Sequence, residues 1–205
     1  MNCLLCQHHS NEFYPDVFQC ENCELVFKNP KGFLKPNEEK ERYNFHTNDA
    51  NELGYRNFLS KLIAPLDRIL NNKMTHLDFG SGKTPMFKIL LEGKLDQSFY
   101  YDLYFYPDKA ILNNKYDLVT CSEVVEHFKD PKVSWDELVN VVKQSGYLAV
   151  MTNLYSEKID YKTWWYKNDF THNVFYTTKT MNYIADFFKL EIFFNDEKSV
   201  VIFKR

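Results

Sequence analysis

The chain has 205 residues, 44% of them hydrophobic and 17% aromatic, with a formal net charge of −3. That composition excludes a disordered or fibrous chain, and the length suits one α/β domain with a real core plus a small appendage. The charge balance supplies no general attraction for nucleic acid, no apolar run approaches the ~20 residues of a membrane span, and no signal-peptide pattern opens the chain, so a cytoplasmic protein is expected.

Four of the five cysteines fall at Cys3, Cys6, Cys20 and Cys23, as two C-x2-C pairs separated by residues 7–19. Two such pairs bring four thiolates onto one tetrahedral ion, and a site filled by protein ligands is structural rather than catalytic. Zinc is the expected metal; iron in a rubredoxin-like site and disulfides are the alternatives, the latter disfavoured in a reducing compartment. So small a finger has too little core to fold unaided, and metal binding supplies the folding energy. His8 and His9 read as exposed loop residues, and Cys121 as a core thiol.

The expected organisation is a zinc-ribbon-like module at 1–30, a linker and N-terminal helix at 31–73, and the main domain at 74–205. Pro30, Gly32 and Pro36 precede a charged run from Glu38 to Arg42, which reads as a linker entering a helix. Residues 43–49 (Y-N-F-H-T-N-D) are polar and aromatic, either a segment that closes over a ligand or an ordinary surface loop. Over 53–70, Phe58, Leu62, Leu66, Ile69 and Leu70 recur at helical spacing, with Pro65 as a kink.

The stretch M-T-H-L-D-F-G-S-G at 74–82 reads as a strand, a tight glycine turn and then a helix opened by Pro85 at its first position. A phosphate-cradling loop needs glycine where Leu77 stands, and a dinucleotide site wants a third glycine where Pro85 stands. Asp78 before a single Gly80-Ser81-Gly82 suits a nucleoside joined to a charged amino acid, without phosphates. A second strand, Gln97–Tyr101, ends in Asp102, about 20 residues beyond the turn, the distance at which a strand-end carboxylate meets a ribose diol. Residues 103–115 are too few for a helix and a third strand, so the sheet is trimmed on that side.

A strand at 116–121 leads into S-E-V-V-E-H-F. Asp130-Pro131 caps a helix with Trp135, Leu138 and Val142 on one face, ended by residues 144–146, before a buried strand at 147–151. Glu123 and Glu126 read either as site residues at a strand's carboxyl end or as a solvated helix start favoured by the macrodipole. Beyond Thr152 the chain turns aromatic and polar (Trp164, Trp165, Tyr166, Asp169, His172), an insertion over the site. His172 there is either a packed structural histidine or a functional one. Thr177 starts a helix through Phe187, and 190–194 pairs with 199–203 as a closing hairpin.

The D-F-G-S-G turn, Asp102, Y-D-L-V-T-C-S-E-V-V-E-H-F-K-D-P at 116–131 and the strand after Gly146 together resemble the class I S-adenosylmethionine-dependent methyltransferases. The likeness is to small bacterial members with an N-terminal four-cysteine zinc finger. It implies a Rossmann-like α/β sheet, shortened on one side and closed by a C-terminal antiparallel hairpin. It also implies that Gly80, Ser81 and Gly82 take the methionine part of S-adenosylmethionine, with Asp78 holding the turn or the ammonium. Asp102 takes the ribose hydroxyls, and Ser122 and Glu123 line the sulfonium end. His127 and His172 are the candidate bases for an acceptor hydroxyl or amine. In-line displacement in a desolvated site requires no metal. The chain departs from the family where Cys-Gly-x-Gly is frequent, having Ser81-Gly82-Lys83-Thr84-Pro85, and the short 103–115 lacks the usual acidic residue near the adenine. The aromatic insertion implies a small-molecule or sugar-like acceptor. Two other readings stay open: an RNA or protein methyltransferase whose finger docks its substrate, and a non-catalytic zinc- and cofactor-binding module.

Overall fold

In the computed structural model, residues 1–44 and 52–205 are described. Three short strands come first, β1 (Ser10–Tyr14), β2 (Val17–Cys20) and β3 (Val26–Lys28), followed by α1 (Pro36–Asn44) and α2 (Leu53–Leu66). The main sheet then alternates with helices: β4 (Thr75–Phe79), α3 (Met86–Leu90), β5 (Gln97–Tyr101), β6 (Tyr116–Ser122), α4 (Pro131–Asn140) and β7 (Val142–Met151). A two-residue strand β8 (Val174–Phe175), α5 (Thr178–Phe188) and the hairpin β9 (Glu191–Asn195) and β10 (Val200–Lys204) complete the chain.

Among the described residues the main sheet runs β5-β4-β6-β7-β10-β9. Its first four strands are parallel, while β10 lies antiparallel to both β7 and β9. This is the expected Rossmann-like α/β sheet with its antiparallel hairpin. The trimmed side is also as expected: β5 is the edge, and 103–115 holds one 3-10 turn, Lys109–Asn113. Because strand side chains alternate between faces, each face has its own core. Leu148, Val150, Val201 and Phe203 pack towards α4 and α5, while Ala149, Met151, Val200 and Ile202 pack towards α2 and α3. Cys121 is a buried core thiol, as expected. No described helix is long and apolar enough to cross a membrane.

Three boundaries differ from expectation. The helix at 53–70 stops at Leu66, with Pro65 in its last turn; the proline forgoes the bond back to the Lys61 carbonyl, and the Asp67 N–H closes the helix on the Ile63 carbonyl. Pro85 caps α3 from outside rather than opening it, at φ −73° and ψ 80°. Residues 144–146 do not end α4, which stops at Asn140; they form a bulge inside β7, and Val142 belongs to that strand. The register slips there, with Tyr116 opposite Val142 but Leu118 opposite Tyr147. Ser145 takes a φ of 64° in the bulge, and a Cβ at Gly146 would lie about 3.0 Å from the Asp117 carbonyl. The predicted closing segment 43–49 falls largely outside the described residues; Tyr43 and Asn44 end α1.

The cysteine sheet does not stand apart. β8 from the aromatic insertion pairs antiparallel with β3, and Cys3, Leu25 and Phe27 share one core with Phe79, Trp135 and Tyr176. Val17, Val26, Tyr161, Trp164, Tyr166 and Phe175 form a further cluster that glues the insertion to the finger.

A polar thread crosses the sheet under the glycine turn. The Ser98 hydroxyl lies 2.6 Å from His76 Nδ1, His76 Nε2 lies 2.9 Å from Thr120 Oγ1, and Thr120 donates to Asp78 Oδ1 at 3.2 Å. Burial lowers His76 to about 3 and raises Asp78 to about 7. The two work in opposite directions. As pH falls below 6.5 the unfolded chain protonates its histidine and the folded one does not, so His76 costs stability. The folded Asp78 binds its proton from about pH 7 downward, before the unfolded one does, and so adds stability. Comparison therefore isolates the histidine: relative to wild type, His76→Leu should gain roughly 1.4 kcal/mol per pH unit from pH 6.5 downward in denaturant unfolding. Parallel pH profiles for the two proteins would refute a neutral buried His76.

Candidate cofactor and acceptor site

The turn after β4 is tied to the end of β5. Gly80 and Ser81 both donate their N–H to the Tyr101 carbonyl, at 2.8 and 3.0 Å. Asp102, nearly buried, reaches back so that Oδ2 accepts from the Gly82 N–H at 2.9 Å, while Oδ1 accepts from Tyr104 and Phe105 at 2.8 and 3.0 Å. Three of a carboxylate's roughly four acceptor positions are thereby used, leaving one on Oδ2 for a ligand hydroxyl. Gly80 sits at φ +77°, and a Cβ there would meet both γ-methyls of Val124, one of them at 2.9 Å. Glycine is required on both counts. Asp78 lies beneath the turn rather than in the cavity, accepting from the Thr120 hydroxyl and the Phe87 N–H.

Beyond the turn opens a cavity of about 750 Å³. Gly80, Ser81, Gly82, Asp102, Ser122, Glu123, His127 and His172 all line it, so every sequence-predicted cofactor and base residue except Asp78 meets there. The Ser122 hydroxyl is buried with no partner among the described residues. Glu123 has a φ of 53°, a left-handed conformation uncommon for a residue with a side chain.

At the far end the chain forms a dense polar cluster. Glu126 is fully buried, and its Oε1 accepts from the Tyr166 hydroxyl at 2.5 Å; the same hydroxyl lies 3.2 Å from Glu123 Oε2. The reading of Glu123 and Glu126 as a solvated helix start is therefore overturned. Burial, and then the neighbouring Glu126 charge, push Glu123 well above the usual carboxylate range. His127 and His172 pack edge to face, ring centroids 4.8 Å apart, and each places Nδ1 against a backbone carbonyl: Thr171 at 3.0 Å and Tyr166 at 2.8 Å. Burial lowers His172 to about 4. Asn173 braces the segment, its N–H on the Glu126 carbonyl and its side-chain amide on the His127 carbonyl, both at 2.8 Å.

The cavity's outer wall was not legible in advance. Glu39, in the charged run that enters α1, is buried and accepts from Tyr43 at 3.0 Å, Tyr104 at 2.9 Å and Lys129 Nζ at 2.6 Å. Lys129 also donates to the Leu34 carbonyl at 2.7 Å, which pins α1 over the site. Tyr43 stands edge-on to His127, and Tyr55 and Phe58 of α2 add further aromatic surface.

The four finger cysteines fit one metal ion. All are free thiols with sulfurs within 4.8 Å of one another, Cys3 to Cys23 at 3.6 Å and Cys6 to Cys20 at 3.3 Å, close to the spacing of a tetrahedral Zn–S site. Backbone N–H groups of Leu5 and Cys23 face the Cys3 and Cys20 sulfurs, as in metal knuckles. The Cys23 contact lowers the Cys3 thiol to about 5, while burial pushes Cys20 up to about 11 and the Cys3 contact raises Cys23. Bound zinc would supply the folding constraint of the module. His8 and His9 are exposed, as expected.

Sheet order, glycine turn and cavity are those of a Rossmann-like methyltransferase fold. A family model described as "Methyltransferase domain" matches residues 52–192, and the chain belongs to that family. A sequence search of curated proteins finds no match. Among solved structures the chain is similar to CalO1, a methyltransferase in calicheamicin biosynthesis in its SAH-bound form, at 16% identity and a TM-score of 0.51, over 74% of this chain and 54% of that one. It thus spans about half of the CalO1 chain. It is also similar to a chain in the complex between the Haloferax volcanii Trm112 methyltransferase activator and a putative methyltransferase (13% identity, 82% and 97% covered, TM-score 0.59). A third likeness is to the N-methyltransferase NodS from Bradyrhizobium japonicum WM9 in complex with S-adenosyl-L-homocysteine (12% identity, 82% and 97% covered, TM-score 0.55). At these identities the likenesses concern the fold.

Because β3 carries β8, the finger should hold the insertion in place. Stripping the metal with a chelator, or making Cys20→Ser, is expected to accelerate hydrogen exchange over 171–176 far more than in β4. Unchanged protection of that stretch would separate the finger from the site.

Proposed function

We propose that this chain transfers a methyl group from S-adenosylmethionine to a small-molecule or sugar-like acceptor held in the cavity. The observation that carries this reading is the polarity of the cavity's two ends, with Asp102 and the glycine turn at one and the Glu123, His127 and His172 cluster at the other. The volume of about 750 Å³ falls within the roughly 300–1,000 Å³ of small-ligand pockets. Bound S-adenosylmethionine supplies an electrophilic methyl carbon whose bond to sulfur breaks as the acceptor's lone pair forms the new one.

Gly80 and Gly82 let the methionine part approach the backbone, Asp102 Oδ2 accepts from the ribose, and Ser122 and Glu123 border the reacting end. Asp78 acts from below by fixing the turn. His127 and His172 act on the acceptor's proton. Both have Nδ1 hydrogen-bonded to a carbonyl, which in the neutral ring leaves the lone pair on Nε2, and His172 is neutral at physiological pH because burial lowers it to about 4. Tyr43, Tyr55, Phe58 and Tyr104 offer ring faces and edges that suit a planar molecule or a sugar. Helices α1 and α2 bound the cavity, which favours a small acceptor over a macromolecule.

Thermal-shift measurements with S-adenosylhomocysteine, NAD and ATP side by side test this reading; only the first should raise the melting temperature. Stabilisation by NAD or ATP alone would overturn it. Gly80→Ala should weaken S-adenosylhomocysteine binding by at least about tenfold in calorimetry, since the φ strain and the Val124 contact must be relieved. His172→Gln should leave that affinity intact while lowering turnover on a screened acceptor by roughly 10²–10⁴.

A further inference from the structure

Glu126, His127 and His172 bring one ligand atom each to within 4.8 Å of one another. The surrounding hydrogen bonds leave acceptors facing acceptors. Both Nδ1 atoms lie against carbonyls, at 3.0 Å for His127 and 2.8 Å for His172. A carbonyl only accepts, so each Nδ1 carries a hydrogen, and in the neutral ring Nε2 holds the lone pair. His127 Nε2 nevertheless faces Glu126 Oε1 at 3.9 Å. Glu126 Oε2 is buried with no hydrogen-bond partner among the described residues, and so is Glu123 Oε1 beside it. No ion pair among the described residues brings a lysine or arginine within 4.0 Å of either glutamate, and Lys61 acts on Glu123 only from farther off. Buried acceptors packed together are costly unless a positive charge joins them. An imidazole whose Nδ1–H is held by a carbonyl is one prepared to ligate through Nε2.

We propose that Glu126, His127 and His172 bind a divalent transition-metal ion, with the Tyr166 hydroxyl orienting the carboxylate. Two imidazoles and one carboxylate suit manganese, iron or zinc. A ligand distance of about 2.1 Å requires the three ligand atoms to draw closer together around the ion. Both histidines line the cavity, so open coordination positions face the acceptor. This deepens the methyltransferase reading and rests on it for its consequence: the acceptor presents a hydroxyl oxygen, and the reaction is an O-methylation. Displacement itself needs no metal; with both Nε2 lone pairs on the ion the histidines act through it instead of as free bases, the ion lowers the hydroxyl's pKa, and the proton passes to Glu123, whose Oε1 is unpartnered among the described residues. The oxygen's lone pair then forms the C–O bond while the C–S electrons remain on sulfur.

The test uses the full chain with zinc in its finger, freed of excess metal and titrated with Mn²⁺, following loss of the free-ion paramagnetic resonance signal. One Mn²⁺ per chain is expected. Glu126→Gln, His127→Gln and His172→Gln should each weaken it at least tenfold while zinc content stays at one per chain; the two histidine variants carry the test should Glu126→Gln fail to fold. No uptake by the wild type, or equal uptake by the folded variants, overturns the proposal. Calorimetry with S-adenosylhomocysteine on the same samples separates the two claims. Cofactor binding without Mn²⁺ uptake removes the ion and leaves the methyltransferase; Mn²⁺ uptake without cofactor binding does the reverse.

Discussion

The carboxylate of Asp102 on the Gly82 N–H, reinforced by Gly80 and Ser81 on the Tyr101 carbonyl, joins the carboxyl ends of two neighbouring parallel strands. The parallel register sets this up by placing Phe79 beside Tyr101, so that the chain leaves both strands at one level. Open α/β sheets bind ligands at such carboxyl ends. The next strand contributes at the same edge, since Val124 closes on Gly80 and Glu123 follows directly from β6. A glycine turn pinned in this way has its N–H groups already spoken for, so what it offers a ligand is open space above the backbone and one remaining acceptor position on Asp102.

The second organising feature is non-local. The finger's last strand recruits β8, and Asn173, just before β8, holds the Glu126 and His127 carbonyls. The four-cysteine module therefore reaches the Glu126–His127 end of the cavity through one short strand and one amide. Lys28 extends the same bracing, its N–H on the Asn173 carbonyl at 2.9 Å and its Nζ on the Asp169 carbonyl at 2.8 Å. The module's position makes it a scaffold for His172, and a small finger placed there need not contact any substrate.

The features legible in the sequence are those set by local chemistry. Strand alternation, the glycine turn, Asp102 at a strand end, the Asp130-Pro131 and Thr177 caps and the paired cysteines depend on neighbours within a few residues. What escaped depends on distant partners. Glu39 reads as one member of a charged run because Tyr104 and Lys129, which bury it, lie 65 and 90 residues away. The β7 bulge escaped because residues 144–146 carry the turn chemistry of a helix end, and only the slip against β6 shows them to be an inserted loop within a strand. The His76 thread hid inside an apolar-looking strand, since a single histidine among hydrophobic residues carries no periodic signal. Both His127 and His172 were visible as candidates, but their meeting depends on the β3–β8 pairing, which two residues cannot announce.

The most direct measurement is a crystal structure of the full chain with S-adenosylhomocysteine. The ribose should hydrogen-bond to Asp102 Oδ2, the amino-acid part should lie against Gly80 and Gly82, and the sulfur should face the Glu123 end of the cavity. A ligand seated elsewhere, or an Asp102 still bonded only to Gly82, Tyr104 and Phe105 with the ligand present, would contradict this account.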